Sequence, residues 1–198
     1  SHEVSRALEQ VGMKNNKENE EDGGIPVVYP GVRSDLFGGT ATGRSLPAPL
    51  GNLEENKLLG TRNHPLRICF AGLLMASKGA HTLVEALVIL KEQGVEIQGH
   101  LAGDTFQAGY RERLEETLKK NGLDEVIFTG QLKKASLARF FRLHHICVFP
   151  SIHPEAFGIV GAEAMASGLV LFSSCVGGAR ELIKDKETGI RFEPGNAA

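Results

Sequence analysis

Between residues 66 and 193, short apolar runs alternate with amphipathic stretches, six of the first and five of the second. LRICFAG (66–72), VEIQGHLAG (95–103), EVIFTG (125–130), ICVFPS (146–151), LVLFSS (169–174) and TGIRFE (188–193) read as strands. Residues 78–94, 108–122, 134–144, 159–168 and 177–185 read as helices, with apolar residues near helical spacing and Gly closing several of them. Connections of this length suit parallel crossovers rather than hairpins. The expectation is therefore an α/β fold, a parallel sheet of about six strands with helices on both faces. Such sheets bind ligands beyond the carboxyl ends of their strands. Here those ends read FAG, LAGD, FTG, FPS and SSCVGG, and their small residues let a ligand approach the backbone.

The first 65 residues lack this rhythm. HEVSRALEQVGM suggests a short amphipathic helix, KNNKENEEDGG a charged solvated stretch, and IPVVYPGV a strand entering a turn. Residues 38–65, rich in Gly, Thr, Ser, Pro and Asn, read as a linker or long surface loop. The organisation expected is an interdomain segment at 1–65, with a remnant helix and flexible linker, and a binding domain at 66–198. EPGNAA looks like the entry to a further helix, so truncation is expected at both ends. A net charge of -2 advertises no nucleic-acid surface, and no run of residues is apolar enough to span a bilayer. With no signal peptide, a cytoplasmic location is expected. Cys69, Cys147 and Cys175 are odd in number and widely spaced, against a disulfide framework or a zinc site.

The segment most informative about chemistry is PSIHPEAFGIVGAEAMASG, 150–168. Glu155 falls in the loop after a strand, Gly158 to Val160 form the first turn of a helix, and Glu163 lies about one turn in. A helix start exposes unpaired N–H groups and the positive end of the dipole, a natural seat for a diphosphate. Glu155 lies before that turn and Glu163 beyond it, and a carboxylate can accept two hydrogen bonds from vicinal hydroxyls. That layout matches a nucleotide sugar: sugar, diphosphate, ribose. Two Glu with seven residues between them mean little among 24 acidic residues. The apolar setting of Glu163 gives the pair weight, because a buried Glu needs a partner. His144 and His145 lack metal-ligand spacing and read as structural, and His153, followed by Pro154, as loop-shaping.

HPEAFGIVGAEAMASG followed by VGGARELI resembles glycosyltransferase family 4 and its retaining relatives of the Rossmann-like GT-B fold, in which Glu, seven residues and Glu precede G-G-x-x-E. FAGLLMASKG, VIFTGQL, VFPS and VVYPGVRSDLF resemble further stretches of the same family, so the resemblance covers most of 66–194 with a patch at 26–37. It implies the C-terminal, donor-binding half of such an enzyme, acting in polysaccharide or glycoconjugate synthesis. It also implies roles. Glu155 would hold donor-sugar hydroxyls, with backbone groups of Ala156, Phe157 and Gly158 against the sugar. Ile159 and Val160 would sit by the diphosphate and nucleoside, and Glu163 would hold the ribose. Lys78 would face the diphosphate from a loop kept close by Gly72, and Gln131 and Leu132 would lie near the base. Catalysis would rest on Glu155 and Lys78, with no cofactor and no metal. The donor implied is a UDP-sugar, UDP-glucose or a relative, with GDP-mannose second. The acceptor sugar or glycolipid would be held by the absent half, with peripheral membrane association of the whole protein. The fragment alone would be inactive.

Two positions depart from the pattern. Leu73 stands where the family has Arg, which leaves Lys78 and the helix start to face the diphosphate, with Arg180 as a candidate substitute. Arg33 stands where the family has Asp. Rival functions fare less well. A dehydrogenase needs G-x-G-x-x-G after the first strand, and a P-loop needs Gly-Lys-Ser/Thr, whereas here Lys78 precedes Gly79. An inert nucleotide-sugar-binding module and a sugar-nucleotide epimerase of the same fold stay as alternatives.

Overall fold

The computed structural model describes residues 31–37 and 59–198. Its sheet has six strands: β1 Leu66–Ala71, β2 Ile97–Ala102, β3 Ile127–Gly130, β4 Ile146–Phe149, β5 Val170–Ser173 and β6 Ile190–Arg191. All neighbours are parallel, in the order β3-β2-β1-β4-β5-β6. The order reverses between β1 and β4, and such a switch point opens a crevice at the carboxyl edge. The helices are α1 Ser34–Phe37, α2 Ala80–Glu92, α3 Tyr110–Lys120, α4 Lys134–Phe141 and α5 Ile159–Ala166.

Alternation along each strand sends side chains to two separate cores. Ile68 and Phe70 of β1 join Leu83, Val84 and Leu87 of α2 and Leu114 and Leu118 of α3 on one face. Cys69 and Ala71 join Phe141 of α4, Ala164 of α5 and Phe149 of β4 on the other. All three cysteines are buried and free.

Three sequence expectations meet a different or a fuller outcome. The fifth helix expected at 177–185 is only a 3-10 turn at Gly178–Glu181, because its backbone is taken up by loop contacts. Gly178 N–H donates to the Glu155 carbonyl at 2.7 Å, and Lys184 N–H donates to Thr188 Oγ1 at 2.9 Å. The last strand shortens to two residues, with Arg191 N–H held by Asp185. Residues 31–37, expected between domains, lie against the sheet domain. Phe37 is fully buried with its ring 6.3 Å from that of Phe141, and Arg142 Nη2 donates to the Leu36 carbonyl. The helix expected near the start of the chain, the strand at 25–30 and most of the loop at 38–65 lie outside the described residues.

His144 and His145 belong to this framework. His144 is buried, with Nδ1 2.7 Å from the Phe140 carbonyl and Nε2 2.9 Å from His100 Nδ1. Since the carbonyl can only accept, Nδ1 carries the proton and Nε2 of neutral His144 accepts from His100. Burial is the main cause that pushes the His144 pKa down to about 4. His145 Nδ1 accepts the Arg67 N–H at 3.1 Å, and burial lowers its pKa as well.

Candidate functional site

A cleft of about 370 Å³ opens at the carboxyl ends of β1 and β4, where the strand order reverses. Its lining comprises Phe70, Ala71 and Gly72, then Lys78, then Phe149, Ser151 and residues 155–160.

Loop contacts carry Lys78 there. After β1, Leu74 N–H donates to the Asp104 carbonyl, Phe106 N–H returns to the Leu74 carbonyl, and Gln107 Oε1 accepts from Ala76 N–H. Residues Ala76–Lys78 form a 3-10 turn, and Ile152 N–H donates to the Ser77 carbonyl at 2.9 Å. The loop after β1 is thereby fastened to the loop after β4. Gly79 makes the approach possible. Its φ is +71°, and a Cβ there would lie 1.9 Å from the Pro150 carbonyl oxygen. The Lys-Gly pair read from the sequence thus combines a charge with a backbone that only Gly can supply.

A second clamp holds Glu155. Its N–H donates to the Val176 carbonyl at 3.3 Å, and its carbonyl accepts from Gly178 N–H at 2.7 Å. Gly177, at φ +64°, passes so close that a Cβ would meet the Glu155 carbonyl oxygen at 2.5 Å. The V-G-G stretch thus fixes the backbone of Glu155.

The side chains converge on one carboxylate oxygen. Lys78 Nζ donates to Glu155 Oε1 at 2.6 Å, and Ser151 Oγ donates to the same Oε1 at 2.5 Å. Ser151 is itself held from below, where Ser174 Oγ donates to its carbonyl at 2.6 Å. Oε2 of Glu155 receives no donor among the described residues. The Lys78 and Glu155 side chains keep 31% and 14% exposure, so the pair faces the cleft rather than the core.

Gly158 caps the start of α5 without any side-chain hydrogen bond. The Gly161 N–H donates to the Gly158 carbonyl, and the N–H groups of Ile159 and Val160, which have no acceptor within the helix, are left for a ligand. The dipole adds about half a positive charge at that end. One turn on, Glu163 is buried at 3% exposure, and Lys134 Nζ of α4 lies 3.2 Å from its Oε1.

Of the residues singled out in the sequence, Gly72, Lys78, Glu155, Ala156, Phe157, Gly158, Ile159 and Val160 line the cleft together. Glu163 stands behind them on α5. Gln131 and Leu132 lie outside the lining, between β3 and α4, with Leu132 packed on the core under α4 and α5. Arg180 is exposed on the turn after β5 and His153 on the loop after β4. Leu73 is 41% exposed, so the position of the expected Arg faces solvent. Sequence reasoning missed Ser151 and Lys134. Ser151 follows Pro150 in a motif whose Ser had no assigned task, and Lys134 looks like any surface Lys at a helix start. Among the described residues no group of three or more His, Cys, Asp or Glu could hold a metal ion, and no helix is long and apolar enough to cross a membrane.

Comparison with known proteins agrees with this geometry. The sequence model described as "Glycosyl transferases group 1" matches residues 53–198. A D-inositol 3-phosphate glycosyltransferase of Streptomyces avermitilis is 30% identical over 176 residues, covering 85% of this chain and 36% of the relative. A glycosyltransferase from Rickettsia africae superposes with a TM-score of 0.73 at 26% identity, covering all of this chain (100%) and 48% of that one. Anabaena HepE, solved with UDP and glucose, gives a TM-score of 0.68 at 25% identity over 88% of this chain and 46% of that one. The chain thus spans about a third of the curated relative and just under half of each solved chain. Both the match over residues 53–198 and the switch-point cleft lead to one conclusion: the chain belongs to the group 1 glycosyl transferases, with the Rossmann-like sheet of the GT-B fold.

Proposed function

We propose that this chain is the donor half of a retaining glycosyltransferase, taking up a nucleoside diphosphate sugar, a UDP-sugar before a GDP-sugar, for transfer to an acceptor hydroxyl. The observation that carries this reading is the meeting of Lys78 and Glu155, far apart in sequence, beside the uncapped start of α5. Lys78 and the α5 N–H groups suit a diphosphate, Glu155 Oε2 suits sugar hydroxyls, and Glu163 suits a ribose diol. The solved complex of HepE with UDP and glucose supports the choice of base.

In the transfer, the bond from the anomeric carbon to the diphosphate oxygen breaks, and its electron pair leaves with the diphosphate. The acceptor oxygen bonds to the anomeric carbon on the same face and passes its proton to the departing diphosphate. Negative charge grows on the leaving group, where Lys78 and the start of α5 stabilise it by fixed charge and dipole. Glu155 holds hydroxyls rather than attacking. The acceptor is bound by the other half of the fold, so residues 1–198 alone sustain no turnover.

Titration calorimetry with UDP tests the reading. The parent binds, and Glu163→Ala loses tenfold or more in affinity. Equal binding by parent and variant contradicts the ribose role. Leu73, in place of a second cation, favours a second reading: a binding module without catalysis. Transfer or hydrolysis of UDP-glucose by the full-length protein decides between the two.

A further inference from the structure

We propose that Glu155 is an internal anion competing with the diphosphate for Lys78, so that the pair helps to release the nucleoside diphosphate once the sugar has gone. The inference rests on the donor-binding reading above and assigns the same site a second task. Among the described residues, Lys78 is the single cationic side chain lining the cleft. Its Nζ donates to Glu155 Oε1 at 2.6 Å. Ser151 donates to that same oxygen, and the backbone contacts to Val176 and Gly178 hold the residue in place, so Glu155 cannot follow Lys78 toward a ligand. Lys78 is the mobile partner, on a flexible stem with 31% exposure.

Two anions therefore share one ammonium group. While the donor is intact, sugar hydroxyls donate to Glu155 and disperse its charge, which frees Lys78 for the diphosphate. After transfer the sugar no longer covers the carboxylate. Glu155 then competes for Lys78, and the diphosphate shares that ammonium group with the carboxylate while resting on the start of α5. Leu73 sharpens the effect, because no second cation in the first loop holds the diphosphate while Lys78 turns away.

The test is UDP binding by calorimetry on the 198-residue chain, in the parent, Glu155→Gln, Lys78→Ala and the double variant. Glu155→Ala is the second probe should Glu155→Gln fail to give the parent's circular dichroism. The expected result is about fivefold tighter UDP binding on removing the carboxylate, and no such gain when Lys78 is already Ala. Unchanged or weaker binding in Glu155→Gln overturns the proposal, because Glu155 then serves only to place Lys78. A gain that persists in the double variant also overturns it, because the carboxylate then merely repels the diphosphate. A parent that binds neither UDP nor GDP instead overturns the donor-binding reading, and this inference with it.

Discussion

Lys78 is the residue on which the charge balance of the cleft turns. A charge-assisted hydrogen bond contributes on the order of 1.5–3 kcal/mol, and the start of α5 adds about half a charge. Lys78→Ala is expected to weaken UDP binding by roughly tenfold or more, about 1.4 kcal/mol, by calorimetry. Leu73→Arg is expected to tighten it, since Leu73 is 41% exposed and the longer side chain has room. Unchanged affinity in Lys78→Ala would make Lys78 a surface residue. The sequence singled out Glu163 because it carries charge in a small, apolar setting, Glu155 because it precedes a helix start, and Lys78 through the family resemblance of its loop. It hid Ser151, whose hydroxyl matters only through a 2.5 Å bond to Glu155. It hid Lys134 too, because the contact with Glu163 crosses from α4 to α5 and depends on packing.

The junction between the first loop and α2 shows how elements set the site. Gly79 ends the 3-10 turn, starts α2 and lies against the Pro150 carbonyl. Gly79→Ala adds a Cβ at 1.9 Å from that oxygen and strains a left-handed φ. The expected cost is about 3 kcal/mol, read as a drop in the midpoint of urea unfolding, together with weaker UDP binding as Lys78 moves. A stable variant with parental affinity would show that the loop after β1 is not fastened to β4. Strands were the most legible elements, because β1, β4 and β5 are apolar runs that leave little choice of structure. The stretch 177–185 was less so. Its spacing fits a helix, but Val176 and Gly178 are hydrogen-bonded to Glu155, and Lys186, just beyond it, takes a φ of +61°, a positive value shared among the described non-Gly residues only by Cys175 at +52°. Phe37 was not readable as core because its partner Phe141 lies far along the chain.

For the molecule as a whole, pH enters through the histidines buried behind the sheet. The His144 pKa is about 4 in the fold and about 6.5 in the unfolded chain. Between those values the unfolded state binds more protons, so stability falls as pH drops from about 6.5 to about 4 and is intact above. The loss approaches 3 kcal/mol, with lowered pKa values at His100 and His145 acting in the same direction. His144→Gln is expected to flatten that slope in urea titrations across the range, and an unaltered slope would assign it to other groups. The sheet order places between β1 and β4 the cleft proposed to take a nucleotide sugar. A crystal structure of the chain with UDP-glucose tests this most directly. The diphosphate is expected against Lys78 and the start of α5, the ribose on Glu163 and the glucose hydroxyls on Glu155. A nucleotide bound elsewhere, or none bound at saturating concentration, would contradict it.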